Sequence, residues 1–240
     1  MSSTVVITGA SQGIGAAIAH EFAKQLNDKG EACFRLALVA RNAQSLKLVS
    51  QECRELGGVA EYFPCDLTQE DQVNTMAQDV RDSMGVPELL INNAGQFVRD
   101  NLLTMDLHSF RATIDANLTS AFLVTRAFVQ SMMNRKRGTI FYMASVASQR
   151  AYPNCGAYTV AKHGLLGLAR AVRESTQDAG LRVTAILPGA TDTPSWQGSG
   201  IDSQRLMPAR DVAQSLLSIY RLSQRSVVEE IVLRPVRGDI

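Results

Sequence analysis

The chain has 240 residues, 45% apolar and 20% charged, which is ordinary globular usage and length enough for one α/β domain with its own core. Lys and Arg number 24 against 23 Asp and Glu, a net charge of +1. That excludes a broadly basic nucleic-acid binder and an acidic disordered tail.

The four cysteines, Cys33, Cys53, Cys65 and Cys155, form no C-x-x-C pair, and the histidines are only His20, His108 and His163. No zinc cluster or other metal site is expected, and the thiols read as reduced. The N-terminus has no basic n-region followed by an apolar h-region, and no apolar run reaches about 18 residues. A cytoplasmic protein that meets neither membrane nor nucleic acid is expected.

Thr4–Thr8 (TVVIT) is an apolar run of strand length. It leads into Gly9-Ala10-Ser11-Gln12-Gly13-Ile14-Gly15, with glycines spaced G-x-x-x-G-x-G. Ile14–Leu26 then carries Ile14, Ile18, Phe22 and Leu26 on an i, i+4 helical stripe. A glycine turn between strand and helix lets backbone approach a ligand and aims helix N–H groups at a pyrophosphate. Gly9, Ser11, Gln12, Gly13, Ile14 and Gly15 are the phosphate candidates; no P-loop lysine accompanies them.

The second strand, Leu36–Ala40, ends at Arg41. A ribose 2′-hydroxyl calls for an acidic residue there, whereas a guanidinium suits a 2′-phosphate, so NADP(H) is expected over NAD(H). The bland alternative is that Arg41 only caps the strand end. Ala43–Leu56 is an amphipathic helix and Ala60–Pro64 the third strand. Asp66 and Leu67 follow it, the carboxylate placed to accept from an adenine amino group. Gln69–Met84 is the next helix, with a cap and early acidic residues in 66–71. Glu88–Asn92 is the fourth strand, then Asn93-Ala94-Gly95, small enough to admit a cofactor ribose.

Leu107–Arg135 is expected to hold two successive helices, with Asn117 among them. Gly138–Met143 is the fifth strand, with Ser145 just beyond. Gly156–Asp178 is a helix on which Tyr158 and Lys162 share a face. Arg182–Leu187 is the sixth strand. Ala190–Met207 is small, polar and glycine-rich, the composition of a lid. Ala209–Leu222 and a seventh strand, Glu230–Leu233, complete the order. Strands alternating with helices give parallel βαβ units. The expected fold is a doubly wound, Rossmann-type, seven-stranded parallel sheet with helices on both faces, in a single domain over 1–240.

A lysine ammonium beside a tyrosine is expected to lower the phenol pKa and so make a general acid or base. Ser145 is placed to hydrogen-bond the oxygen that receives the proton, and Asn117 to hold a relay water. Singly, each reads as a surface pair, a turn former or a local backbone partner. Together, in order, behind G-x-x-x-G-x-G and N-N-A-G, they resemble the short-chain dehydrogenases/reductases across nearly the whole chain.

That resemblance implies a catalytic set of Ser145, Tyr158 and Lys162, with Asn117 as fourth member. It implies that Tyr158 and Lys162 also touch the cofactor, Lys162 at the nicotinamide ribose, and that Pro188, Gly189, Thr191 and Thr193 contact the nicotinamide. Hydride transfer between the nicotinamide and a small-molecule carbonyl or alcohol is the implied activity. A homodimer or homotetramer through the helices of 107–135 and 156–178 is the implied assembly.

Two features resemble the sepiapterin reductase branch of that family: the long connection Gln25–Phe34 and the ending Val227–Ile240. They imply reduction of a pterin side-chain ketone. The alternatives are another ketone, a 3-oxoacyl or 3-hydroxy acid substrate, or a non-catalytic NADP-binding regulator. Ser145, Cys155, Tyr158, Gly189 and Trp196 are the substrate-side candidates. Trp196 is expected either to stack on a pterin or to pack the lid onto the body. Cys155 reads as a pocket wall, and His163 should point off the catalytic face. Asp239 and Asp202 are the candidates for a pterin-anchoring carboxylate.

Overall fold

The computed structural model describes residues 2–240. All seven expected strands form: β1 (Ser3–Thr8), β2 (Phe34–Ala40), β3 (Val59–Pro64), β4 (Leu89–Asn92), β5 (Gly138–Met143), β6 (Leu181–Pro188) and, last in the chain, Glu230–Leu233. Two short strands that sequence did not suggest, β7 (Thr191–Asp192) and β8 (Met207–Pro208), precede that last strand, which is therefore β9. The helices are α1 (Gly13–Ala23), α2 (Ala43–Glu55), α3 (Glu70–Met84), α4 (Leu107–Ile114), α5 (Ser120–Asn134), α6 (Gly156–Thr176) and α7 (Ala209–Tyr220).

The large sheet runs β3-β2-β1-β4-β5-β6-β9 with every pairing parallel. Successive residues face opposite layers. In β1, Val6 packs toward α3, α5 and α6, while Val5 and Ile7 pack toward α1, α2 and α7. In β5, Ile140 and Tyr142 take the first layer, Phe141 and Met143 the second. Two covered faces are why the inner strands read as continuous apolar runs. The edge strands β3 and β9 expose Val59, Tyr62 and Val232.

The expected pair of helices in 107–135 is one helical rod. α4 passes into a π-helical turn, Asp115–Thr119, and directly into α5. No Gly or Pro interrupts it, and the Asn117 side chain donates to the Thr113 carbonyl within the rod. α1 stops three residues short of Leu26, because Leu26 turns away to bridge Ala32 in a small hairpin that takes up the long Gln25–Phe34 connection. Asp66 does not cap α3. It accepts from the Thr68 amide and hydroxyl, and Gln69 stands at the N-cap without a side-chain bond.

The order of strands reverses between β1 and β4, the place where open α/β sheets leave a crevice at their carboxyl ends. Thr8 and Asn93 bind that junction. The Thr8 hydroxyl donates to Ile91 O and accepts from the amides of Asn93 and Ala94, both at 3.0 Å. Asn93 Nδ2 donates to Thr8 O at 2.9 Å and Gly9 O at 3.3 Å. Gly9 has φ +65°, and a Cβ on Gly15 would lie 2.1 Å from Gly9 O. Gly15→Ala should therefore destabilise the protein by roughly 1–3 kcal/mol or more. Thermal unfolding of the variant should show a clear fall in Tm; an unchanged Tm would contradict this packing.

Candidate active site

A cleft of about 890 Å³ opens at the carboxyl ends of the strands. Gly9, Ser11, Gln12, Gly13 and Ile14 floor one end, with Arg41, Asp66 and Leu67 beside them. Asn93, Ala94, Gly95, Pro188, Gly189, Thr191 and Thr193 continue the wall toward Asn117, Ser145, Cys155, Tyr158, Lys162 and Trp196. One nominated cofactor residue, Gly15, is absent from the lining. Its place is the tight contact with Gly9 described above. Gly13 has φ +57°, and the Thr193 methyl lies 3.3 Å from where its Cβ would stand. The start of the lid thus leans on the glycine turn.

Arg41 is exposed at the far end, beside Asn42, whose side chain caps α2 by accepting from Ser45 N. A free phosphate-sized anion there would meet a guanidinium and a helix N-terminus together. The glycine turn, α1 and Arg41 fit a dinucleotide phosphate. Gly95 serves the other end. A Cβ on it would stand 2.7 Å from Asn117 Oδ1 and 3.4 Å from Lys162 Nζ.

Asn117 has a structural role that the sequence did not suggest. Its Oδ1 accepts from Gln96 N at 3.1 Å, and its Nδ2 donates to Gln96 O and Thr113 O. The buried amide clamps the loop after β4 to the π-helical turn and leaves no N–H for a relay water. Ser145 combines two expectations. Its hydroxyl oxygen accepts from Ala147 N at 3.1 Å, and Ser145 N donates to Ser148 Oγ at 3.2 Å. It is a turn former, and its hydroxyl proton remains available to donate into the cleft.

Lys162 is buried and donates to Met143 O at 2.9 Å. Its Nζ lies 5.5 Å from the Tyr158 ring centroid. Burial pulls its pKa down to about 8. The Tyr158 phenol moves opposite to the sequence expectation. Burial pushes it up to about 12, with the Ser145 hydroxyl acting against that rise. Loss of solvent around the phenolate is the largest cause of that rise. The phenol is therefore held in its protonated form.

Cys155 is buried in the wall, and burial raises its thiol pKa. His163 is exposed, with Nδ1 against Thr159 O, off the catalytic face as expected. Asp202 is corrected: it caps Gln204 N in an exposed turn and does not line the cleft. Asp239 does line it. Its Oδ2 accepts from Tyr152 at 2.7 Å and from Arg150 and Arg234, while Oδ1 is buried without a partner. Burial works against its charge, but Tyr152 and the two arginines hold it below the ordinary carboxylate range.

Phe97 and Arg99 are among the cleft residues that the sequence did not single out. Trp196 stacks on Phe97 at 6.1 Å and 21°, and Phe97 meets Tyr158 edge-on at 5.1 Å and 86°. The Arg99 guanidinium lies 5.9 Å from the Trp196 ring centre. Trp196 thus packs the lid onto the body through Phe97, the second of its two expected roles, and it also lines the cleft. An aromatic two residues beyond N-N-A-G was the available signal.

The family model described as short chain dehydrogenase matches residues 3–203. A sepiapterin reductase of Chlorobaculum tepidum is 33% identical over 241 residues, covering 100% of this chain and 99% of that one. An alcohol dehydrogenase of the archaeon Thermococcus sibiricus, solved with 5-hydroxy-NADP, superposes with a TM-score of 0.89 at 27% identity, covering 100% and 99% of the two chains. A metagenomic short-chain oxidoreductase in complex with NADP gives 0.84 at 31%, covering 98% and 97%. No helix among the described residues is long and apolar enough to cross a membrane.

Trp196 is the chain's one tryptophan, so its emission reports the lid alone. Phe97→Ala removes its stacking partner. The emission should shift to the red and become more accessible to acrylamide quenching. An unmoved spectrum would mean that the stack does not hold the lid.

Proposed function

Because this chain belongs to the short-chain dehydrogenase family, we propose that it is an NADPH-dependent carbonyl reductase, and that a pterin side-chain ketone is its substrate. The observation that carries the reductase reading is a single cleft holding Tyr158, Ser145 and Lys162 at one end and the glycine turn with Arg41 at the other. The NADP-bearing structural neighbours support the choice of cofactor.

The N-terminus of α1 and Gly9–Ile14 would hold the pyrophosphate, and Arg41 the 2′-phosphate. Asp66 and Leu67 would flank the adenine, while Asn93–Gly95 and Lys162 would meet the nicotinamide ribose. Pro188, Gly189, Thr191 and Thr193 would border the nicotinamide. When bound, the nicotinamide supplies hydride to the ketone carbon.

Tyr158 supplies the proton to the ketone oxygen as charge develops there. Its raised pKa keeps that proton in place until then. Ser145, fixed by Ala147 N–H, donates to the same oxygen. The Lys162 ammonium, 5.5 Å from the ring centre, favours the phenolate left behind. Asn117 holds Gln96 and so shapes the wall that Phe97 continues.

The pterin assignment rests on the Chlorobaculum tepidum relative and on three features of the substrate end. Phe97 and Trp196 offer a flat aromatic wall. Asp239 Oδ1 is an unpaired acceptor suited to ring N–H donors. Asp239 is thus the anchoring carboxylate of this reading, with Cys155 and Gly189 in the same wall. Exposed Leu103, Leu107, Phe122 and Val160 support self-association beside α4–α6. The complete set Asn117, Ser145, Tyr158 and Lys162 favours catalysis over a merely regulatory role.

NADPH oxidation with sepiapterin, run beside an aliphatic 1,2-diketone, tests the reading. Sepiapterin should be turned over, and Tyr158→Phe should lower kcat roughly 10²- to 10⁴-fold with NADPH still bound. Turnover of the diketone alone would overturn the pterin assignment; an unimpaired Tyr158→Phe enzyme would overturn the mechanism. Arg41→Asp should cut the preference for NADPH over NADH about 10- to 100-fold. Equal preference before and after would remove Arg41 from the phosphate site.

A further inference from the structure

The helix that carries Tyr158 has no cap of its own. Cys155 stands at the N-cap position of α6 and makes no side-chain hydrogen bond to it. The first N–H groups of a helix have no partner within it and need one from elsewhere. Here the partner comes from 56 residues upstream: Asp100 Oδ1 accepts from Gly156 N at 3.2 Å, with Ala157 N at 3.5 Å on the same oxygen.

The contact is two-sided. Asp100 N donates to Asn154 O at 2.8 Å, across the bridge that pairs Asp100 with Cys155. Asn154 takes a left-handed φ of +53°, where asparagine is among the residues that settle most readily. Gly156 is also pressed by the same loop, since a Cβ there would stand 2.5 Å from Leu102 Cβ. The loop after β4 is therefore fastened to the start of α6 by main chain, side chain and packing together.

Tyr158 is the third residue of that helix, within the turn that frays first when a cap is lost. The same loop places Phe97 edge-on against the Tyr158 ring. Asp100 itself does not line the cleft.

We propose that Asp100 is a positioning residue: its carboxylate caps α6 from the loop after β4 and fixes the first turn on which the Tyr158 hydroxyl stands. This rests on Tyr158 being the proton donor. Asp100 touches neither substrate nor cofactor and acts only through the helix. Lys162 lies a full turn deeper and is held independently by Met143 O. Loss of the cap should therefore misplace the phenol while leaving the ribose contact intact.

The test is steady-state kinetics with NADPH and whichever of sepiapterin and the 1,2-diketone wild type reduces. Asp100→Ala should lower kcat roughly tenfold, because a small displacement of a reacting group is costly. KM for the ketone and the NADPH dissociation constant should stay within about twofold. Asp100→Asn keeps the Oδ1 acceptor and should restore most of kcat. If Asp100→Ala does not fold, Asp100→Glu replaces it, since the added methylene displaces the acceptor; kcat should again fall with KM kept. An unchanged kcat, an Asn variant as slow as the Ala variant, or an equal weakening of NADPH binding would overturn the proposal. Tyr158→Phe is run alongside. If it remains active, the donor assignment itself fails; if it is inactive while Asp100→Ala matches wild type, only the role of Asp100 fails.

Discussion

The site depends on how closely the carboxyl ends of β1 and β4 approach. Thr8 and Asn93 draw them together through five hydrogen bonds, one donated and two accepted by the Thr8 hydroxyl and two from the Asn93 amide. Buried polar groups left without such partners would cost about 1–3 kcal/mol each. The approach is open only to a turn without side chains, since Gly9 would meet Ala94 Cα at 2.8 Å and Gly15 would meet Gly9 O. Pulled tight, the glycine turn lies against Asn93-Ala94-Gly95, and Arg41 and Tyr158 come to line one cleft. Near-neutral net charge fits this arrangement. In the proposed reading the charge of a dinucleotide would be met locally, by the Arg41 guanidinium and the N-terminus of α1.

The substrate end is built on a different principle. The cofactor end stands on regular parallel pairing, whereas the substrate end is assembled from loops held by side chains. Asn117 fastens Gln96, Phe97 carries Trp196, and Asp239 gathers Tyr152, Arg150 and Arg234. Burial sets the chemistry between them. It moves both Tyr158 and Lys162 toward their neutral forms, the phenol up to about 12 and the ammonium down to about 8. The two shifts differ in consequence: the first keeps the phenol proton in place, while the second leaves lysine largely charged near neutrality.

The sheet was legible because its inner strands are covered on both faces, so that TVVIT and GTIFYM stand out as unbroken apolar runs. The glycine turn was legible because its residues are adjacent in sequence. What depended on distance in sequence was not. The π-helical turn arises where the Asn117 amide reaches Thr113 O and Gln96, and no periodicity reports that. Phe97 meets Trp196 across 99 positions. Asp202 and Asp239 looked alike as isolated acids, yet one caps an exposed turn and the other is enclosed by two arginines and a tyrosine. The direction of the Tyr158 shift was misread for the same reason. Spacing reveals a neighbouring charge but not the depth at which a group lies.

The small ladder of β7 and β8 has its own consequence. Thr191 pairs with Met207 and Asp192 with Pro208, closing the base of the lid before α7 begins. The chain therefore leaves β6 and enters α7 at a fixed separation, whatever lies between. Lengthening a loop whose ends are already held costs only about 0.6 kcal/mol per doubling. Residues 195–205 can then vary without disturbing the sheet, while Thr193 and Pro194 stay against Gly13 of the glycine turn. The part of the cleft wall that Ser195 and Trp196 supply can thus be exchanged while the sheet stays as it is.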